Sequence, residues 1–574
     1  MFGWMLEIVA LWVVAYLILY GCGSLANRYF CSEHRWNFWV GYAMLIMYLQ
    51  VYHIFFPINK FALAVPLIAS LVGWLLALKS LVRNFSANQI IQSSRWVLLF
   101  SFIYCLWLAN RALHDGFIDD TGLYHYGYMM WAQEFSIIPG LGNLHGRLAF
   151  NNANLLINAL LDPIFMQYGS VRLANGFLIA VISCQAISYA IHICFRESIQ
   201  VDVFKVSLVC FIPVIFYLAV NGIGMSTDIP NFIIGILASS LFFKIIFTSH
   251  IQNSSSFTIQ NNLIHLVLLC SVGICIKLSF VVFGFLLCFS ACAFTCYQSK
   301  HNQLVRILIS LSWIPAVLLG VYVIRGCIQT GYPLYPSMLG GLPVDWKIPI
   351  HYVVDIADGI RSSARMVGWP VNEILNGWQW LVPWFEQKMT TVKGIWVVGI
   401  PFISSLILLA FLRRKRLREK SILLNPEYLL LSVVFLLSAM FWFSQAPSPR
   451  FAGVIFWFYF VCLLLLILLS DNRGFMSIRV ITGCCILFVI GVFGVGLLKD
   501  RSALITLPSE ATTLIPQTNV KKYVTQSGLI LYVPDEDGAM MGLSWGAPLP
   551  ATPNPKAGLS LRDPNDFGKG FVID

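Results

Sequence analysis

The sequence predicts an all-α polytopic integral membrane protein, and three observations carry that expectation. Its 574 residues are 58% hydrophobic, with a mean hydropathy of +0.77. Only 11% are charged, less than half of the roughly 25% usual in a soluble domain. Apolar runs of about 18 or more residues, long enough to cross ~30 Å of hydrocarbon as a helix, recur along the chain. Glycine and proline show no period, which excludes a collagen-like chain. The net charge of +11 does not point to nucleic acid, because Lys and Arg accumulate in the cytoplasmic loops of membrane proteins and set their orientation.

Taken in order, the spans fall near residues 3–21, 37–57, 61–78, 96–113, 171–195, 203–220, 229–247, 263–278, 280–297, 304–325, 394–412, 428–444, 451–470 and 480–498, about 14 transmembrane helices by length. Glu7 interrupts the start of the first run and no small-residue cleavage site follows, so that run reads as a permanent span. The dense basic run Arg413, Arg414, Lys415, Arg416, Arg418 and Lys420 fixes the cytoplasmic side. Counting outward from it places Arg28 and Arg35, Lys79, Arg83 and Arg95, Arg196 and Lys205, Lys300 and Arg306, and Arg473 and Arg479 on that same side. Both termini then lie outside. The continuous stretch 263–297 is read as two spans, because only then do all these basic loops share one face. Nearly all 15 cysteines fall in spans or on the cytoplasmic side, so no disulfide framework is expected.

Residues 1–498 form the transmembrane module and 499–574 an external C-terminal segment. The loops 114–170 and 326–393 face the same external side as that segment, and loops of such length usually carry function. Within the tail, the strand-like run Gly528–Pro534 precedes Pro548, Pro550, Pro553 and Pro555, which reads as a small appended lid.

The chemistry collects in these external parts. Asp119 and Asp120 are adjacent carboxylates just beyond the fourth span; side by side they repel, so the pair needs a cation, a metal or a proton donor. Alternatively Asp120 or Thr121 caps a helix running through Trp131. The glycine-broken turn 139–152 carries His145 and Arg147, and the run 153–168, with Asn154, Asn158 and Asp162, reads as an amphipathic helix lying at the interface. Asp228 opens a span on the outer side, either as its cap or as part of the site. Lys277 is a mid-span cation expected to face the bundle interior beside an acidic or phosphate partner. Arg325 and Arg450 stand at external ends among glycines and prolines, against the positive-inside bias, and suggest an anion site. Trp346, Trp369, Trp378, Trp380 and Trp384 suit interface anchoring. No nucleotide-binding loop or hydrolase elbow is present. Carboxylates and arginines beside the bilayer fit a lipid-phosphate substrate, with a carboxylate as base and arginines on the leaving phosphate.

In plan and in the motif Asp120-Thr-Gly-Leu-Tyr-His125, the chain resembles the GT-C glycosyltransferases. That resemblance implies a GT-C-like fold with interfacial helices in long external loops, a polyprenyl-phosphate sugar donor, a glycan or lipid-linked acceptor, and a catalytic aspartate in the first large external loop. Here Asp120 is the leading base, Asp119 a second acid or metal ligand, and Arg325 and Arg450 the phosphate ligands. His125, His145, Arg147, Asp228 and Lys277 are further candidates for substrate contact. The common GT-C motif has Asp followed by Glu, whereas Thr121 follows here, so the choice of base and the use of a divalent metal stay open. The segments 120–125, 139–147, 331–336, 449–451 and 547–550 also resemble a family of bacterial membrane proteins from surface-polysaccharide loci. That implies a multi-pass protein of the bacterial inner membrane with its site facing the periplasm. A polymerase or ligase of undecaprenyl-diphosphate-linked oligosaccharides, and a flippase of lipid-linked glycans, are the alternatives.

Overall fold

The computed structural model describes residues 1–30, 34–84, 91–114, 119–195, 202–251, 256–298, 313–368, 370–419, 426–469, 474–499, 515, 518–535 and 543–573. Arg196, Lys300, Arg306, Trp369, Lys420 and Arg473 lie outside these residues.

The described chain is mostly helical, with two small two-stranded sheets near its C-terminus. Ten of its helices are long and apolar enough to cross a membrane, or eleven if the bent pair Val203–Cys210 and Ile212–Asn221 is one span. The helices Ser256–Ile276, Ile455–Leu469 and Gly474–Lys499 accompany them. Every predicted run has a helix on its described residues, although the expected fourteen spans exceed the ten or eleven that qualify among those residues. The run 203–220 bends by 45° where Phe211 leaves the first helix and Pro213 begins the second. The run 263–278 stops at Ile276, because Lys277 takes an extended conformation. The run 451–470 starts late, after the short helix Pro449–Ala452 and Gly453, whose φ of +51° disfavours other residues.

Small residues let the first three helices approach closely. A Cβ on Gly41 would lie 1.9 Å from the Leu19 carbonyl oxygen, and one on Gly73 would lie 1.9 Å from that of Gly21. Such contacts are how helices associate where lipid removes the hydrophobic drive. Asp228–Phe247 is buried over its whole apolar window, its Phe243 ring stacked 5.0 Å from Phe458. Outward-facing Ile68, Leu71, Leu98, Ile407 and Leu487 are exposed apolar side chains, as expected of a surface that lipid covers.

The run 153–168 departs from its expected place at the interface. The helix Ala153–Leu161 is buried on all sides. Its polar positions are internal ties: the Tyr42 hydroxyl donates to Asn154 at 2.5 Å, and Ser170 donates to the Asn158 carbonyl and, through its backbone, to Asp162. Helix Ile350–Arg365, in the second long loop, retains an alternation of buried and exposed positions. Trp378 is exposed, but Trp380 and Trp384 are buried, so these two are packing residues and not surface anchors.

The C-terminal segment folds onto the long loops. Strand β1 (Val520–Val524) pairs antiparallel with β2 (Ile530–Pro534), and β3 (Leu559–Leu561) with β4 (Phe571–Ile573). The Asn143 amide donates to both the Trp346 carbonyl at 2.9 Å and the Phe571 carbonyl at 3.0 Å, joining the first loop, the second loop and the tail. Arg562 pairs with Asp345 at 2.6 Å and lies over Trp346, and Thr552 donates to the Leu144 carbonyl. These segments therefore form one cap at one end of the helical bundle.

Candidate active site

The cluster of charges beneath this cap starts at Asp120. Its backbone is already helical, and its side chain caps nothing. Asp120 Oδ2 instead accepts from Arg450 Nη1 at 2.8 Å, while Oδ1 lies 3.8 Å from Arg147 Nη1. Thr121 does not cap either, its hydroxyl donating to the Met225 carbonyl at 2.9 Å. A π-helical turn, Thr121–His125, leads on into the helix Tyr126–Glu134, a distortion common at functional sites.

Arg450 reaches Asp120 because prolines end the preceding helix and start a short one. Trp384 and Trp442 pin that turn by donating to the carbonyls of Pro447 and Ser448 at 2.6 and 2.8 Å. Asp228 opens its helix, but Ser226 supplies the cap, accepting from the Asp228 backbone N–H. The Asp228 carboxylate is thereby left to pair with Lys277, at the break between helices Ser256–Ile276 and Val281–Gln298. Phe451 ties the two ion pairs together: Lys277 Nζ lies 4.4 Å and Arg450 Cζ 4.7 Å from its ring centroid. Burial opposes the Arg450 charge, yet the carboxylates of Asp228 and Asp120 more than offset it and raise its pKa. Lys388 and Lys393 act on the same group electrostatically, through Arg450 and Asp228 respectively.

The cluster is open on one side, with the Asp120 side chain 21% and the Arg450 side chain 36% exposed. Its wall is aromatic: Tyr124, Phe150 and Tyr335 follow one another at centroid spacings of 5.5 and 6.1 Å. Two buried polar atoms here have no partner among the described residues, His125 Nε2 and the Tyr335 hydroxyl. His125 Nδ1 meets the Met225 carbonyl at 3.2 Å; a carbonyl only accepts, so the proton sits on Nδ1 and Nε2 presents a lone pair. Burial pushes the His125 pKa down to about 4, so the ring stays neutral.

Gly122 fixes the cap over this motif. Its carbonyl accepts from the backbone N–H groups of Ser544 and Trp545 at 2.8 and 2.9 Å. A Cβ at Gly122 would lie 2.4 Å from the Trp545 ring, so only glycine fits.

Of the sequence candidates, the structure brings together Asp120, Arg147, Asp228, Lys277, Arg450 and His125. Asp119 is exposed and makes no ion pair among the described residues. His145 lies nearer the tail, its pKa pushed down to about 3 by burial, Arg147 and Lys556. Arg325 is not at the mouth at all: it is 0% exposed, its guanidinium donating to Asn151 at 3.1 Å, Tyr128 at 2.7 Å and the Gln50 carbonyl at 3.5 Å, with His53 Nδ1 at 3.0 Å. Its position one and a half turns inside the end of helix Trp313–Thr330 explains this, because the chain leaves the helix only after Thr330. The described residues hold no group of three or more His, Cys, Asp and Glu suited to a metal, and guanidinium groups face both oxygens of Asp120, so no step through a metal is derived. Tyr124, Phe150, Tyr335, Phe451 and Gly122 were not singled out from the sequence, although all but Phe150 sit inside the short motifs quoted above.

No curated protein and no solved structure matches the chain. A family model described as a domain of unknown function (DUF8201) matches residues 5–457, a stretch holding every member of the charged cluster. The chain belongs to that family.

Proposed function

We propose that the protein is an integral-membrane glycosyltransferase of the GT-C type, transferring a sugar from a polyprenyl-phosphate donor to a glycan or lipid-linked acceptor at the capped end of the bundle. The observation that carries this reading is the Asp120 carboxylate held between Arg450 and Arg147, half open, beneath a cap at the end of a helical bundle with membrane-length apolar helices. In the reaction, Asp120 takes the proton of the acceptor hydroxyl, the acceptor oxygen bonds to the anomeric carbon, and the bond from that carbon to the phosphate oxygen breaks. The electron pair leaves with the phosphate, whose added negative charge Arg450 and Arg147 receive. Arg450 commits one N–H to Asp120 and keeps donors for a phosphate. The Tyr335 hydroxyl and the His125 Nε2 lone pair are suited to orienting sugar hydroxyls, and the Tyr124, Phe150 and Tyr335 rings to stacking on the sugar face. In cellular terms, this site would face the periplasm of a bacterial inner membrane.

One observation favours a second reading. Among the described residues, five cations, Arg147, Lys277, Lys388, Lys393 and Arg450, pair with or act electrostatically on the cluster that holds the Asp120 and Asp228 carboxylates. That concentration of positive charge suits a lipid diphosphate, the donor of an oligosaccharide polymerase or ligase. Transfer assays with radiolabelled polyprenyl-monophosphate and polyprenyl-diphosphate sugars, on protein purified into lipid, separate the two. Turnover with the monophosphate supports the main reading and diphosphate-only turnover the second. If neither donor turns over while a labelled lipid-linked glycan crosses the bilayer, both enzyme readings are wrong.

A further inference from the structure

Lys556, in the tail, is a half-buried cation of the cap. Its Nζ donates to the Asn143 carbonyl at 2.9 Å and lies 4.2 Å from the Tyr352 ring centroid. Among the described residues no carboxylate pairs with it. Burial alone pushes its pKa down to about 8, and an ammonium taken out of water is costly unless an opposite charge meets it. It is not needed as a tether, because Thr552 and the Asn143 amide already bind the tail to this loop. An ammonium carries three donors, so two remain beyond the one that Asn143 takes.

The surroundings of Lys556 bring the first loop, the second loop and the tail together. Tyr352 and Ile356 stand one turn apart on the helix Ile350–Arg365 and pack with Tyr335 in one apolar cluster. The turn 143–147 lies against that cluster: a Cβ on Gly146 would be 2.8 Å from the Tyr335 hydroxyl and 3.0 Å from Ile356. Tyr335 is 4% exposed, and its hydroxyl has no partner among the described residues. A buried hydroxyl in that condition is unfavourable until a ligand or water meets it. A cation without an anion and a hydroxyl without a partner thus border one patch of the cap.

Arg147 joins this patch to Asp120. Its guanidinium lies 3.8 Å from Asp120 Oδ1 and acts electrostatically on Tyr335 and on His145, which Lys556 also affects. Phe150 spans the same interval, 5.5 Å from Tyr124 and 6.1 Å from Tyr335 between ring centroids. The track from Asp120 to Lys556 therefore runs along the cap. A donor whose tail is held in the bilayer approaches from the bundle, which leaves the cap to the acceptor.

We propose that the patch around Lys556, Tyr335 and Tyr352 binds the acceptor glycan, and that this glycan is acidic, with a sugar carboxylate meeting the Lys556 ammonium. The proposal rests on the glycosyltransferase reading, for which it names the acceptor class. Binding titrations on the full-length protein in lipid nanodiscs test it without donor or turnover. The probes are tetragalacturonic acid, a hyaluronan tetrasaccharide and trisialic acid, each beside its carboxyl methyl ester. At least one acid is expected to bind tenfold or more tightly than its ester. Lys556→Met should bring that acid down to the ester level, whereas Lys522→Met, which removes an exposed lysine from the same tail, should keep the preference. A second arm needs no variant to fold: in wild type, a water-soluble carbodiimide should couple the preferred acid to Lys556, as peptide mass spectrometry reads. No preference for any of the acids, a preference kept in Lys556→Met, or coupling that leaves Lys556 unmodified would overturn the proposal. So would a tenfold loss of polyprenyl-phosphate binding in Lys556→Met, which would assign the lysine to the donor. Acid preference in a protein that turns over no donor would sink the transferase reading alone, and transfer without acid preference would sink this proposal alone.

Discussion

Arg450 and Asp120, 330 residues apart in sequence, meet at 2.8 Å at the end of the bundle. Neither is buried enough to be a purely structural pair, with about a third and a fifth of their side chains exposed. An ion pair this open contributes about 1 kcal/mol or less to stability. Arg450→Gln is therefore expected to leave the thermal midpoint nearly unchanged while lowering transfer about 100-fold, the scale of losing one group that stabilises developing charge. Unfolding in detergent and initial-rate transfer assays on the same preparation check both halves.

Asp228 and Lys277 should behave differently, because each is only 17% exposed. Removing one partner leaves a nearly buried charge unpaired, at a cost of about 3 kcal/mol. Lys277→Met is thus expected to destabilise strongly, and adding Asp228→Asn to restore much of the loss. A double-mutant cycle on thermal stability reads this coupling.

Arg325 is a stability residue. Arg325→Leu deprives Asn151, Tyr128 and His53 of their shared partner in the interior and is expected to cost about 3 kcal/mol. Its activity should fall only in proportion to the folded fraction, as transfer assays normalised to folded protein would show.

The cap can be loosened at a single atom. Gly122→Ala brings a methyl group within 2.4 Å of the Trp545 ring, so the tail is expected to lift from the Asp120 motif. Limited proteolysis should then cleave the 543–573 segment faster than in wild type, with transfer reduced in parallel.

His125 sets an acid limit. Its pKa is about 4 in the folded chain and about 6.5 when unfolded. Between those values the unfolded chain binds more protons, so stability falls as pH drops from about 6.5 toward 4 and is unaffected by this group at higher pH. The full effect is about 3 kcal/mol. His125→Gln should flatten that part of the pH–stability curve, read as thermal midpoints at several pH values.

Much of this organisation was legible from residue type alone. The helix positions follow from apolar runs, and dividing 263–297 into two helices follows from requiring all basic loops on one face; Lys277, expected inside the first of the two, instead takes the extended break between them. The parity argument also put Asp120, Asp228 and Arg450 on a common face, and they meet. Two kinds of information were hidden. Depth was one: Arg325 looks like a mouth residue beside Gly326 and Gly331, yet lies inside because its helix continues to Thr330. Polar positions were the other: Asn154 and Asn158 resemble an interfacial stripe, but their partners Tyr42 and Ser170 lie on other helices. The tail's grip on Gly122 has no local signal, since a glycine required by a distant tryptophan looks like any turn glycine.

The most direct test of the central claim is transfer from a polyprenyl-phosphate sugar by Asp120→Asn protein that unfolds at the same temperature as wild type. The account predicts a loss of about 100-fold or more in turnover with donor binding retained. Wild-type turnover in that variant would contradict it.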